Sequence, residues 1–107
     1  MYYLLRTVTV TTCCERETEM EIFMKSISKE KLQEEIKRLF DEAVENMDED
    51  TYVNNCSMED FEDYDGYFNE NNLSIHIILP TPSLDSEEII YAIVSDEQVM
   101  EVWNGNK

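Results

Sequence analysis

One histidine, three cysteines and 25 carboxylates are the side chains of this 107-residue chain that could do chemistry. His76 stands alone, beside Ser74 and Ile78 in a β-branched stretch. A lone strand histidine is more often half-exposed or hydrogen-bonded than catalytic. Cys13, Cys14 and Cys56 form an odd set, and neighbouring cysteines point apart in extended chain, so they are expected as reduced thiols. They also lack the C-x₂₋₄-C spacing that lets two thiolates converge on zinc with His76. Glu35-Ile36-Lys37 matches the E-x-K tail of a nuclease motif. Its helical setting supplies each charge with an i,i+4 neighbour instead. In the stretch Phe61–Asn72, Asp63, Asp65 and Gly66 fall at positions 3, 5 and 6 of a calcium loop. Phe61 and Asn72 then occupy positions 1 and 12, where carboxylates are required. No metal, no cofactor and no enzymatic activity are expected, since G-x-S-x-G, H-E-x-x-H, phosphate-loop and C-x-x-C patterns are all missing.

The carboxylates are informative as a group. The formal net charge is −17, from 8 Lys+Arg against 25 Asp+Glu. Residues 1–40 are neutral, because Arg6, Arg16, Lys25, Lys29, Lys31, Lys37 and Arg38 balance Glu15, Glu17, Glu19, Glu21, Glu30, Glu34 and Glu35. The whole excess lies in residues 41–107, whose one basic side chain is Lys107. Twelve acids fall between Asp41 and Glu70 with no Lys or Arg among them. Such a surface repels nucleic acid and anionic lipid, so direct binding to nucleic acid or membrane is not expected; it attracts basic protein surfaces. No apolar run, Ile77-Ile78-Leu79 included, is long enough to span a bilayer, and the N-terminus lacks the pattern of a signal peptide. A cytoplasmic protein is the expectation.

These groups must be held by a scaffold, and hydropathy outlines one. With 42% hydrophobic residues and 2 Gly and 2 Pro, the chain can form one modest core. Residues 2–12 and 17–27 read as strands of a hairpin, the second with Met20, Ile22 and Met24 on a buried face. Ser28 is placed to cap a helix over 29–47, where Leu32, Ile36, Leu39, Phe40, Ala43, Val44 and Met47 make one stripe, expected to pack across the hairpin. Lys31–Glu35, Glu34–Arg38, Lys37–Asp41 and Arg38–Glu42 are opposite charges at i,i+4 on its other side. Asp48-Glu49-Asp50 follow, where negative charge opposes the helix dipole, so local stability does not account for them. Thr51–Cys56 could be strand or loop. Ser57 with Asp60 resembles a capping box for a short helix near 58–64, and Asp65-Gly66 marks a turn. Strands follow at 73–79, with Leu73, Ile75, Ile77 and Leu79 on one face, then at 88–95 and, after a turn at Asp96-Glu97, at Val99–Trp103. The fold class expected is α+β: a single domain over 1–107, with hairpin plus helix in 1–47, an acidic connecting segment in 48–72 and C-terminal antiparallel strands in 73–107, ββα-βββ in order.

Asp48, Glu49, Asp50, Glu59, Asp60, Glu62, Asp63 and Asp65 supply the carboxylates of the connecting segment, and Tyr64 and Tyr67 its aromatic anchors. If the thirty residues from Asp41 to Glu70 were helical they would span about 45 Å. Twelve carboxylates over that length come at roughly one per 3.8 Å, near the one phosphate per 3.4 Å of a DNA strand. In size, acidity and α+β core the chain resembles the nucleic-acid-mimic inhibitors of phages and mobile elements, the anti-restriction and anti-CRISPR proteins. That resemblance implies a non-enzymatic inhibitor whose carboxylates occupy the basic nucleic-acid site of a defence nuclease, such as a Cas effector. The same electrostatics would serve an antitoxin or immunity protein that caps a basic toxin. A third class is a sheet-edge adaptor or homodimer using the strand at Val99–Trp103.

Overall fold

The computed structural model describes residues 1–12, 15–63, 69–78 and 85–97, with Glu62 and Asp63 described in their backbone alone. The hairpin forms where alternation places it, as β1 (Tyr2–Thr11) and β2 (Arg16–Ser26). Helix α1 (Lys29–Glu45) follows. Two short strands, β3 (Thr51–Val53) and β4 (Cys56–Ser57), precede helix α2 (Met58–Asp63), and β5 (Asn72–Ile78) and β6 (Ser86–Ser95) complete the described elements. The six strands form one antiparallel sheet in the order β2-β1-β6-β5-β3-β4.

Register divides the sheet into two faces. Directly paired residues of an antiparallel sheet share a face, so Leu4, Ile93, Tyr91, Leu73, Ile75 and Val53 stand together. The α1 stripe closes onto them: Leu32, Ile36 and Phe40 are buried, four residues apart, and join Leu4, Val53, Leu73, Tyr91 and Met47 in one core. Burying each of these large side chains contributes about 1.5–3 kcal/mol, which makes this stripe the main adhesive of the domain. The helix touches β1, β2, β3, β5 and β6, so it packs across the whole sheet and not across the hairpin alone. Helix α2 lies on the same face, where Phe61 meets Phe40 with ring centroids 5.7 Å apart.

The expected alternation of β2 into one buried and one wet face does not hold. Met20 and Ser26 are half-buried and the rest of the strand is exposed, because β2 is outermost among the described strands. A register shift also interrupts it: Leu5 pairs with Ile22 and Leu4 with Met24, which leaves Phe23 as the extra residue. Such a bulge resets the side-chain parity. Phe23 keeps the helix-side face of Glu19 and Glu21 and meets Tyr91 edge-on at 5.4 Å, while the reset brings Met24 to that face as well.

Two of the four expected i,i+4 pairs form on the helix surface, and Lys31–Glu35 is not among the described ion pairs. Lys37–Asp41 and Arg38–Glu42 form, and Arg38 takes Glu35 where Glu34 was expected. Hydrogen bonding to Glu35 holds the Arg38 guanidinium above its ordinary pKa. Ser28 occupies the N-cap, but its hydroxyl donates to the Glu30 carboxylate at 3.0 Å and makes no cap to the backbone. Glu30 is held below the usual carboxylate range, first by its own backbone N–H, then by the Ser28 hydroxyl and the Lys29 charge. A carboxyl depressed in the folded state favours folding above its unfolded pKa, and loses that contribution as pH falls through the folded value. Ser28→Ala should therefore raise the Glu30 pKa toward the ordinary value in a carboxyl-carbon NMR titration. An unmoved titration would show the contact is not made in solution.

Residues 48–72 are not simply a connector. Within them, residues 48–63 supply two sheet strands and α2 rather than one straight helix, so the straight-helix spacing does not apply to their acids. Asn54 and Asn55 join β3 to β4 with φ of 51° and 67°. Two successive left-handed residues are the signature of a tight two-residue hairpin turn, and asparagine tolerates them better than other side chains. The stretch expected as strand at 88–95 is strand, as β6, but Asp96 and Glu97 continue in helical backbone where a turn was expected. The strand expected at Val99–Trp103 lies outside the described residues, as do Leu79, Cys13 and Cys14. No described helix is long and apolar enough to cross a membrane.

Candidate functional site

The residues with the plainest chemistry are absorbed by the scaffold. Ile36 is buried in the core, Glu35 pairs with Arg38 and Lys37 with Asp41, so the E-x-K triplet is ordinary helix surface. His76 is half-buried on the sheet face opposite α1, beside Tyr52 at 6.2 Å between ring centroids. Cys56 is a free thiol. Among the described residues no group of His, Cys, Asp and Glu could hold a metal ion.

The acidic residues gather at the opposite edge of the sheet from β2. Asp48, Glu49 and Asp50 form the exposed turn between α1 and β3, and Glu59 and Asp60 stand exposed in the first turn of α2. The narrow β3–β4 hairpin brings these two clusters together. Glu49 and Glu59 line one open groove of about 490 Å³ with Tyr52, Ser57 and Met58. Tyr52 and Ser57 are directly paired across the hairpin. Glu62 and Asp63 continue α2, while Tyr64, Asp65 and Tyr67 lie outside the described residues.

Two of the acids have structural work. The Asp48 carboxylate accepts from the Asp50 N–H at 3.0 Å and the Thr51 hydroxyl at 2.9 Å. That is an Asx turn, which follows the helix C-cap at Asn46 and leads the chain into β3, so local structure does account for this residue. Asp60 closes the capping box read from the sequence: its carboxylate accepts from the Ser57 hydroxyl at 2.8 Å and the Ser57 N–H at 3.2 Å. In return the Asp60 N–H donates to the Ser57 hydroxyl at 3.4 Å.

Glu49, Asp50 and Glu59 are different. The described ion pairs are Met1 with Asp96, Arg6 with Glu21, Lys37 with Asp41, and Arg38 with Glu35 and Glu42. None reaches the groove, so its carboxylates are uncompensated by any described cation. Repulsion among such charges falls off over about 8 Å at physiological ionic strength, and the capping box and the Asx turn hold the backbone that carries them in place. The chemical capacity of such a surface is to bind cations: guanidinium and ammonium groups, with Tyr52 and Met58 offering apolar contact.

Sequence inspection missed the hairpin that unites the clusters. The signal was present in Asn54-Asn55, a dipeptide suited to positive φ between two short β-rich runs. No known protein family, characterised protein or solved structure matches this chain.

Proposed function

We propose that the protein is a non-enzymatic inhibitor that binds the basic nucleic-acid site of a defence nuclease, presenting carboxylates where that enzyme takes backbone phosphate. The observation that carries this reading is the convergence of Glu49 and Glu59 on one groove whose acids meet no described cation. The capping box and the Asx turn support it, because they tie the acidic positions to a folded edge. A pre-ordered anionic surface binds a cationic cleft without an ordering cost and is steered to it from a distance.

The test is release of labelled duplex DNA from purified defence nucleases, Cas effectors and restriction endonucleases among them, by the full chain at graded salt. The wild-type protein should displace DNA, with potency falling steeply as salt rises. The triple variant Glu49→Gln/Asp50→Asn/Glu59→Gln leaves both caps intact and should be weaker by roughly tenfold or more, since buried charge pairs across interfaces couple at about 1.5 kcal/mol or above. Equal potency of variant and wild type would reject the mimic.

A further inference from the structure

The other edge of the sheet carries a second surface. Strand β2 has 11 residues, its outer side is unpaired among the described strands, and it is exposed along nearly its full length. An edge of this kind presents a row of free backbone donors and acceptors to any extended chain. From Arg16 to Ile22 its pairing with β1 is regular, and the bulge ends that regularity at Phe23. Within this segment Glu17, Glu19 and Glu21 pair with Val10, Val8 and Arg6 and so share the helix-bearing face. They repeat every second residue, roughly 6.7 Å apart. On the opposite face stand Thr18, Met20 and Ile22, with Ile22 45% exposed.

This pattern selects among possible occupants. An antiparallel two-fold pairing of β2 with its own copy keeps each side chain on its face, so odd-numbered residues meet odd-numbered ones. Every register centred between Glu17 and Glu21 then sets glutamate against glutamate, which is unfavourable. A strand with Lys or Arg at alternate positions and apolar residues between them meets complementary charge on one face and Met20 and Ile22 on the other. We infer that β2 is a strand-addition site for an extended, alternately basic and apolar segment of a cationic partner. Backbone pairing would supply affinity, and the glutamate ladder would set register. This surface lies at the sheet edge opposite the Glu49–Glu59 groove, so it stands or falls separately from the reading given above.

The probes are two blocked nonapeptides of identical composition, one with lysines at alternate positions between valine and threonine, the other with its lysines in one block. Both share the general attraction to an acidic protein, so the ratio of their affinities is the readout. The alternating peptide should bind the full chain roughly tenfold more tightly, as expected for cross-strand charge pairs to Glu17 and Glu19 in register, Glu21 being already paired with Arg6. It should also slow amide hydrogen exchange within Glu17–Ile22. Glu17→Lys/Glu19→Lys, at two exposed positions, should abolish the preference while leaving the circular dichroism unchanged. Equal affinities, protection confined to Glu49–Glu59, or a β2-mediated dimer of the protein alone would each overturn the inference.

Discussion

Ile36→Ala should lower the unfolding free energy by about 2–5 kcal/mol, the range for truncating a large aliphatic side chain in a core. Ile36 has no exposed surface and lies midway along the buried stripe, between Leu32 and Phe40. Its loss opens a cavity beneath α1, where the helix crosses a sheet whose strands come from both ends of the chain. Those strands cannot easily collapse into the gap, because the β1–β6 pairing holds them at fixed spacing. A domain of this size is typically stable by about 5–15 kcal/mol, so the loss is a large fraction of the whole. Urea denaturation followed by far-UV circular dichroism measures it, as a lower midpoint at unchanged slope. A shift below about 1 kcal/mol would mean the helix is not seated on the sheet as described. By contrast Lys37→Ala, which removes one exposed i,i+4 pair, should cost about 0.3–0.5 kcal/mol.

Asn54→Ala should cost about 2–4 kcal/mol, an effect out of proportion to the size of the side chain. Asn54 is buried, at 7% exposure, and holds φ of 51°. Its side-chain oxygen accepts the Ser74 N–H at 3.0 Å, while its own N–H donates to the Ser74 carbonyl. Alanine would leave the Ser74 N–H without that acceptor and carries a Cβ that resists the left-handed region. On the proposed function the consequence also reaches the groove, because this turn lies between the Glu49 and Glu59 clusters in the chain. Thermal unfolding of Asn54→Ala beside Asn55→Gly separates the causes. Glycine at 55 accepts positive φ freely and should be neutral or slightly stabilising. If Asn54→Ala were equally neutral, neither the turn nor the bond to Ser74 would matter to the fold.

Much of the scaffold was legible in the amino-acid order because it rests on local physics. The 3.6-residue spacing of Leu32, Ile36 and Phe40, the threonine–valine alternation of β1 and the Ser57–Asp60 box each act within a few residues, and each forms as read. The segregation of charge was equally plain, since it requires only counting. The bulge at Phe23 could not be read, because it arises from how β2 must meet β1 while Phe23 reaches Tyr91, nearly seventy residues away in sequence.

What the sequence determined by itself was therefore the class of the molecule: an α+β domain with one long amphipathic helix and an uncompensated block of acids. Only the tertiary structure decided which strands lie at the edges and which acids come together. β1 pairs with β6 across the length of the chain, which leaves β2 outermost and carries the β3–β4 hairpin to the far side. Strand order depends on long-range pairing free energies summed over the whole sheet, to which no single segment contributes a readable signal. That order places an acidic groove on one edge and a glutamate ladder on the other.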